Sequence, residues 1–362
     1  MIEGLDKLLE ENGQPGLVEL RHLLEVIFGG QGATGEFLEQ QRLPARAPRV
    51  YRLRFAIHGR IRSVVAKRME PEVAYRNQLV IKRWLPAIGL GDNGPILLGV
   101  AAERSGQWVW HVYDDLGDRA LDPMHVDSGR ARVAVELIAQ LHTRFAEHAL
   151  LPECRLLGRD LGINFYASSV RDAARCLELL RPPAVELSAE HLALRDRLLS
   201  RLRRLHEEQP VREDALAEFG GPETLLHGEL WATNTFLLPD VGGVRARLID
   251  WDHAGVGPAS YDLSTFLLRF PFRRRLAVLN LYREAAGQAG RNLPSARDLN
   301  RLFETAEFAR FADCLIWPAI ALAHDRLDWG FEKLAKVDEW FESWEPVLPD
   351  ELQPSSEDFA SF

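Results

Sequence analysis

Two short segments of the chain concentrate polar side chains in apolar surroundings. Residues 226–234 are LHGELWATN, and residues 248–255 are LIDWDHAG. Glu229 and Asp250 provide carboxylates and Asn234 provides an amide oxygen, each beside residues that favour burial. Such oxygens suit Mg²⁺, which takes one or two ligands from a protein and the rest from phosphates and water. These residue types predict a magnesium–phosphate site, provided that the fold brings them together.

The two predicted strands next to Asn234 and Asp250 indicate how these residues come together. TFLLP and VRARLIDW have strand composition, and DVGG is a turn sequence between them. If an antiparallel hairpin turns at Gly242, residues whose numbers sum to about twice 242 face each other. Asn234 and Asp250 satisfy that sum. We therefore expect them side by side at the open end of the hairpin, with Glu229 in the loop that enters the same end.

The composition limits the class of protein. The chain has 362 residues, is 46% hydrophobic and 27% charged, and carries a net charge of -9. The length predicts two lobes rather than one core, and the acidic balance argues against nucleic acid as a partner. The opening MIEGLDKLLEENG lacks the features of a signal peptide, and no apolar run reaches the length of a membrane span. Three widely spaced cysteines show no disulfide or metal pattern. We therefore expect a cytoplasmic protein with no membrane partner.

The first part of the chain, residues 1–115, is predicted to form a strand-rich lobe. A short opening helix and the amphipathic helix LVELRHLLEVIF precede three strands, EFLEQQRL, RVYRLRFAI and IRSVVAKRM. The last two strands form a hairpin through HGR. A helix follows Pro71 in VAYRNQLVIKRWL, and PILLGVAAE and QWVWHVYDD return to strand.

Residues 116–350 are predicted to form a larger, mainly helical lobe, followed by a polar tail at 351–362. ARVAVELIAQLHTRFAEHALL is a long amphipathic helix, and the strands TFLLP and VRARLIDW are the only ones expected here. Further helical patterns cover 166–183, 187–207, 262–289 and 296–345. The predicted fold class is α+β, with a hinge near Tyr113 to Gly117.

The motif HGELWATN, followed by LIDWDHAGVGPASYDLS, resembles the catalytic loop and metal-binding segment of the aminoglycoside phosphotransferase and choline kinase-like family. The resemblance is specific over 226–264 and looser over about 45–345. It implies a protein-kinase-like bilobal fold, with a small antiparallel-sheet N-lobe. It also implies ATP and Mg²⁺ as cofactors and a small-molecule hydroxyl as the phosphate acceptor. It predicts no oligomeric state.

The same resemblance implies roles for residues that would bind the nucleotide. Lys67, near the end of the third strand, would contact the α- and β-phosphates. Backbone groups near Val112, Tyr113 and Asp114 would bind the adenine edge.

The resemblance implies metal-binding and catalytic roles in the two motif segments. Asn234 and Asp250 would hold Mg²⁺, and His227 would brace the catalytic loop. Asp262 of YDLS would cap or tether that loop. Glu229 stands where the family has the catalytic Asp that orients the substrate hydroxyl and accepts its proton.

Glu229 is the sharpest departure from the family pattern. The extra methylene moves the carboxylate oxygens by about 1 Å, and misplacement on that scale costs about a hundredfold in rate. Because the base serves mainly to position the nucleophile, one interpretation is an active kinase with a readjusted loop. The alternative is a catalytically weak or inactive pseudokinase that binds nucleotide and has a regulatory role.

Other departures concern the partners of Lys67 and of the phosphates. Asn77 occupies the position where relatives often have the Glu that pairs with this lysine. Glu72 is the nearest substitute, although the helix dipole explains an acid there equally well. GGQGATG precedes the first strand, which favours a connector, and the loop between the first two strands is PARAP, with Arg46 and no glycine.

The acceptor is expected to contact helical segments at roughly 155–185 and 300–345. Acids and arginines are mixed there, so aminoglycosides, choline-like amines, sugars and other alcohols all stay open. Asp252 matches a family acid, and with His253 it is either a solvated pair or a second metal or substrate site. The short interval from Asp252 to Asp262 leaves no room for an activation segment and argues against a protein kinase.

Overall fold

The computed structural model describes residues 2–7, 14–29, 35–43, 49–182 and 185–349. The chain forms two compact units. Unit 1 comprises Met1–Leu121 and Asn234–Asp252, and unit 2 comprises Asp122–Thr233 and His253–Phe362. Most of the GGQGATG stretch, all of PARAP with Arg46, and the polar tail lie outside the described residues.

Unit 1 contains a six-stranded sheet in the order β1-β2-β3-β4-β6-β5. Neighbouring strands are antiparallel, except that β1 pairs parallel with β2. The predicted strands are confirmed. The bounds are β1 Ile2–Glu3, β2 Gly35–Arg42, β3 Val50–Ile57, β4 Arg60–Met69, β5 Leu97–Ala102 and β6 Val109–Asp114.

The turn between β3 and β4 is the hairpin predicted at HGR. Ile57 faces Arg60 across the ladder, and the two central residues, His58 and Gly59, have φ values of 49° and 72°. A two-residue loop with both φ values positive matches the right-handed twist of the flanking strands. The tight turn fixes the register that places Lys67 opposite Val50.

Helix α1, Leu17–Phe28, covers one face of this sheet with the residues spaced four apart, Leu20, Leu24 and Phe28. They pack in one core with β3 and β4 residues such as Phe55. The predicted opening helix is wrong for the described residues, where the chain forms β1 and a 3₁₀ turn at Leu5–Lys7. Pairing with β2 and burial of Ile2 account for the strand.

Helix α2, Pro71–Leu79, begins with proline in its first turn, where the missing N–H costs nothing. It continues through a π-helical turn at Val80–Trp84 into α3, Leu85–Ala87. Trp84 is fully buried. The helix predicted after Pro71 is therefore confirmed, with a change of pitch in its second half.

The hairpin formed by β9, Thr235–Asp240, and β10, Gly243–Leu248, belongs to unit 1. Backbone hydrogen bonds from Leu121 N–H to Thr235 O (2.7 Å) and from Leu237 N–H to Arg119 O (3.0 Å) attach it there. Sequence analysis had placed this hairpin with the C-terminal helices, because long-range pairing with residues 119–121 has no local signal.

The register of this hairpin differs from the expected one by a single residue. Asp240 faces Gly243, so the turn consists of Val241 and Gly242 rather than being centred on Gly242. Ile249 N–H therefore donates to Asn234 O at 2.9 Å, and Asn234 lies opposite Ile249 instead of Asp250. The two-residue turn, with Gly242 at φ 87°, is the physical reason.

Unit 2 is mainly helical and also contains a small sheet in the order β7-β11-β8. Sequence analysis missed these strands, because they have two to four residues and one of them is GVGP. Their bounds are β7 Arg159–Asp160, β8 Glu223–Leu226 and β11 Gly255–Pro258. The helices are α4 Ser128–Phe145, α5 Leu151–Leu157, α6 Ile163–Glu178, α7 Ala189–Glu207, α8 Gln209–Phe219, α9 Ser260–Leu267, α10 Phe272–Gln288, α11 Ala296–Ile320 and α12 Trp329–Glu342.

Two of the predicted helical regions are divided. Residues 262–289 contain α9 and α10, separated at Pro271. Residues 296–345 contain α11, a π-helical turn at Ala321–Asp325, and α12, with left-handed Arg326 (φ 53°) at the break. Among the described residues, no helix is both long and apolar enough to cross a membrane.

Candidate functional site

Unit 1 contains a pocket between one face of the sheet and the β9–β10 hairpin. Val65 lies opposite both Arg52 and Tyr113 in the ladder, so strands β3, β4 and β6 contribute side chains to the same surface. Phe236 and Ile249 contribute from the hairpin. The pocket is partly open to solvent. Its lining also includes Leu43, Val50, Lys67, Asn77, Pro95, Asp114, Asp115, Leu116, Gly117 and Asp250.

Lys67 lies in this pocket between two carboxylates of the DWD sequence. Its Nζ donates to Asp250 Oδ1 and, at 2.6 Å, to Asp252 Oδ1. Burial opposes the lysine charge, but the two carboxylates outweigh burial and raise the pKa of Lys67 above its usual value. The ammonium is therefore held in the charged form that phosphate binding requires.

The structure shows which acids pair with Lys67, the question that sequence analysis left open. Asn77 Nδ2 donates to Asp252 Oδ1 at 3.0 Å and to Val73 O at 3.0 Å. Arg76 Nη1 donates to the backbone carbonyl of Asp252 at 2.6 Å. Helix α2 therefore contributes donors that hold Asp252, instead of an acid that holds the lysine.

Glu72 does not take the place of the missing acid. Its side chain is 86% exposed and pairs with Arg76 at 3.3 Å. The dipole interpretation of this residue accords with its position in the first turn of α2.

The carboxylate oxygens around Lys67 are suitable ligands for a hydrated magnesium ion. The Asp250 and Asp252 carboxylates already converge on one cation, the lysine ammonium. Asp250 has a positive φ of 68°, an unusual backbone conformation for a residue with a side chain. Within the described residues, no group of three or more His, Cys, Asp and Glu side chains could hold a metal alone. Mg²⁺ would depend on phosphates and water for its other ligands, as it commonly does.

Asn234, the second predicted metal ligand, begins the hairpin segment of unit 1 and is buried, at 9% exposure. Its backbone carbonyl accepts from Ile249, the neighbour of Asp250. The ladder therefore holds the backbones of the two predicted ligands close together at the open end of the hairpin.

The predicted adenine segment lies on β6. Val112 is fully buried in the unit 1 core, whereas Tyr113 and Asp114 line the pocket. The backbone N–H of Asp114 donates to Ile96 O at 2.9 Å. Burial, followed by the charges of Asp252 and Asp250, raises the pKa of the Tyr113 phenol well above its usual value, so Tyr113 presents a neutral ring.

Sequence analysis missed the buried ion cluster of Arg52 at the end of this segment. Arg52 lies 2.9 Å from Asp115 and 2.8 Å from Asp118, and Asp115 also accepts from Ser63 Oγ (2.6 Å) and Gly117 N–H (2.9 Å). Burial disfavours the Asp115 charge, but these hydrogen bonds and Arg52 hold its pKa below the ordinary value. The cluster fixes the chain just after β6. Strand β3 contains two arginines, Arg52 and Arg54, and the sequence gives no signal that Arg52 is the buried one.

In unit 2, Asp262 organises the loop that follows β8. The fully buried carboxylate accepts from the backbone N–H groups of His227 (2.7 Å) and Gly228 (2.9 Å), and His142 Nε2 lies 3.3 Å away. Burial opposes ionisation, but these interactions lower the pKa of Asp262 below its ordinary value. The geometry accords with the tether predicted for this residue.

His227 and Glu229 lie on either side of Gly228 in this loop. The His227 side chain is fully buried. Gly228 has a φ of 85°, and a Cβ there would lie 2.0 Å from the backbone oxygen of His253. The Glu229 side chain is 38% exposed, with Oε1 3.6 Å from His253 Nε2. The loop thus buries the histidine and presents the carboxylate.

The chain matches a known protein family. Residues 39–299 match the model of the APH phosphotransferase enzyme family, and the chain belongs to that family. Its fold is the α+β, protein-kinase-like fold of small-molecule kinases. A search of curated protein sequences finds no match to this chain.

Several solved structures share the fold at low sequence identity. Choline kinase LicA from Streptococcus pneumoniae is 14% identical with a TM-score of 0.51, covering 90% of this chain and 99% of that one. An ethanolamine kinase from Plasmodium vivax is 11% identical, with a TM-score of 0.55 and coverage of 93% and 94%. Spectinomycin phosphotransferase APH(9)-Ia, in complex with ADP and spectinomycin, is 12% identical, with a TM-score of 0.55 and coverage of 92% and 96%.

Proposed function

We propose that the protein transfers the γ-phosphoryl group of ATP to a hydroxyl of a small molecule. The observation that carries this proposal is the convergence of Lys67 and Asp250 in a pocket of unit 1, in a member of the phosphotransferase family. A charged lysine beside hard oxygen ligands is the combination that recognises a magnesium nucleotide.

Different residues of the pocket contact different parts of ATP. Lys67 contacts the α- and β-phosphates, and the apolar residues Val50, Val65 and Phe236 cover the base. Asn234 and Asp250 would hold Mg²⁺, and the ion would supply positive charge to the transferred phosphoryl group. Asp252 positions Lys67 through the contact at 2.6 Å.

Glu229 acts on the acceptor. The acceptor hydroxyl oxygen forms a bond to the γ-phosphorus, the bond from that phosphorus to the β–γ bridging oxygen breaks, and ADP leaves. The proton of the hydroxyl passes to the Glu229 carboxylate. Asp262 keeps the loop in shape by accepting from the N–H groups of the two residues before Glu229.

The short segment after the DWD sequence supports a small acceptor. Strand β11 and the start of α9 occupy the interval before Asp262, so no long segment is left to dock a peptide. The similar structures are a choline kinase, an ethanolamine kinase and a spectinomycin phosphotransferase. We propose an alcohol acceptor and leave its class to experiment. The three cysteines, Cys154, Cys176 and Cys314, are thiols rather than disulfides, which suits a cytoplasmic site of action.

The test is ATP turnover with Mg²⁺ against a panel of amino-alcohols, sugars and aminoglycosides. We expect the native protein to phosphorylate at least one acceptor, and Asp250→Ala to lose activity by roughly a hundredfold to a thousandfold. Asp240→Ala, at the exposed end of strand β9 in the same hairpin, is the matched control and should retain activity. Native turnover by Asp250→Ala would contradict the proposal.

The same assay separates a kinase from a pseudokinase. A protein that binds ATP·Mg²⁺ and phosphorylates no acceptor, while Glu229→Asp does turn over, would be a regulatory pseudokinase. A protein that binds no nucleotide would contradict both functions.

A further inference from the structure

Arg159 determines the tautomer of His253 in unit 2. Arg159 Nη1 lies 2.9 Å from His253 Nδ1. A guanidinium has only donors and stays charged, so Nδ1 of the imidazole must be the acceptor and carries no proton. The single proton of the neutral ring is then on Nε2.

Backbone pairing holds Arg159 in this place. Arg159 pairs with Gly255 between β7 and β11, and its N–H donates to Ala254 O at 3.1 Å. A Cβ on Gly255 would lie 2.5 Å from Arg159 O, so the two strands approach too closely for any side chain. This strand register therefore places the Arg159 guanidinium beside His253, two residues before Gly255.

Arg159 and Asp313 place opposite charges near His253. Asp313 on α11 is a half-buried carboxyl whose pKa is raised by burial, while the charge of Arg159 and then that of His253 oppose the rise. Among the described residues, the ionisable groups near the imidazole include Arg159, Asp313 and Glu229.

The protonated edge of the ring faces Glu229. Oε1 of Glu229 is 3.6 Å from Nε2 of His253, which is longer than a hydrogen bond. Catalytic hydrogen bonds are often long in unliganded enzymes and tighten in the substrate complex. The close packing of Gly228 against the His253 backbone fixes the two segments relative to each other.

We propose that His253 is a positioning residue for Glu229, an inference that rests on the proposed function. Glutamate has one more rotatable bond than the aspartate of the family, and so has more freedom to misplace its oxygens. The Nε2–H of His253 holds Oε1 and so orients the carboxylate that accepts from the substrate hydroxyl. Arg159 keeps the ring in the tautomer that can donate. This histidine thereby compensates for the longer side chain.

The first test compares His253→Leu with His253→Gln. The glutamine Nε2 amide can donate from about the place of the imidazole Nε2–H, whereas leucine cannot donate. We expect His253→Leu to lower kcat by about tenfold to a hundredfold with little change in the KM for ATP, and His253→Gln to recover most of the loss. Equal kcat for native and leucine variants, or equal losses for leucine and glutamine, would overturn the inference.

A double-mutant cycle tests the coupling directly. Glu229→Asp shortens the side chain and withdraws it from His253, so adding His253→Leu should change kcat by less than about twofold. A full additional loss in the Glu229→Asp background would show that His253 acts elsewhere and would overturn the inference.

A spectroscopic measurement separates this inference from the proposed function. In the full chain, ¹⁵N chemical shifts of the His253 ring should show the Nε2–H tautomer, and Glu229→Gln should move the Nε2 signal. A proton on Nδ1 would overturn the inference whatever the activity. Absence of phosphotransfer by the native protein would overturn the proposed function, while the tautomer and its response to Glu229→Gln still decide the contact.

Discussion

Asn77 and Lys67 donate to the same atom, Oδ1 of Asp252, at 3.0 Å and 2.6 Å. The Asp252 carboxylate thus lies between the Asn77 amide, on helix α2, and the Lys67 ammonium. In this chain the helix holds the partner of the lysine rather than the lysine itself.

This relationship makes Asn77→Asp an informative substitution. The new carboxylate would face Asp252 at hydrogen-bond distance, and the repulsion would displace the acid that positions Lys67. We expect the KM for ATP to rise by roughly tenfold, equivalent to about 1.4 kcal/mol of binding. Steady-state kinetics measures this. Asn164→Asp, which alters an exposed amide that donates to Asp160, is the control. An unchanged KM would show that Asp252 does not position the lysine.

Gly228→Ala should damage the catalytic loop. The residue has a φ of 85°, and its Cβ would lie 2.0 Å from His253 O, so the loop must move. We expect a loss of stability of roughly 1–3 kcal/mol and a fall in kcat of about a hundredfold. Gly287→Ala is the matched control, because Gly287 lies in helix α10 with open space around it; it should be neutral or stabilising by about 0.5–1 kcal/mol. Thermal denaturation and kcat of both variants decide the matter.

His111 should make stability depend on pH. Burial, followed by the charges of Lys67 and Lys82, lowers the pKa of His111 to about 4. In the unfolded chain the group titrates near 6.5, so between these values the unfolded state binds more protons and stability falls as pH falls. The full shift corresponds to about 3 kcal/mol. Urea unfolding from pH 7 to pH 4 measures the slope, and His111→Leu should reduce it. An identical slope in the variant would contradict the burial of a neutral histidine.

Asp262→Asn should weaken both the fold and the activity. The amide group would face one of the backbone N–H donors that the carboxylate now accepts, leaving a buried donor without an acceptor. We expect a loss of roughly 1–3 kcal/mol in unfolding free energy. Because the folded pKa is depressed, Asp262 stabilises the protein above the ordinary carboxyl value near 4 and loses this effect as pH falls further.

The control for this variant is Asp298→Asn, at a partly exposed position in the first turn of α11. Denaturant titrations at pH 7 should separate the two variants clearly. Equal stability for both would contradict the tethering role of Asp262.

Local sequence patterns predicted most of the helices and strands. Alternation in RVYRLRFAI and four-residue spacing in LVELRHLLEVIF predicted β3 and α1, because each pattern records burial of one face. Strands β7, β8 and β11 had no such signal, since each is short and depends on partners far along the chain. The hairpin register was wrong by one residue, because the type of a turn depends on backbone angles that DVGG does not determine.

The sequence predicts which residues form the site, but not which of them contact each other. The motif residues Asp250 and Asp262 were chosen from spacing and resemblance, whereas the Lys67–Asp252 pair joins the two separate stretches of chain that form unit 1. The Arg159–His253 contact likewise has no local sequence signal. Arrangements of this kind follow from strand pairing, and only a three-dimensional description reveals them.

Unit 1 is assembled from two stretches of chain, Met1–Leu121 and Asn234–Asp252, with Asp122–Thr233 belonging to the other unit. During synthesis, strand β4 therefore leaves the ribosome long before the acids that neutralise Lys67 exist. The pocket cannot close until residue 252 has emerged, although domains usually fold in order from the N-terminus. A ribosome stalled before that point would carry a sheet without one wall of its pocket, exposed to chaperones and proteases.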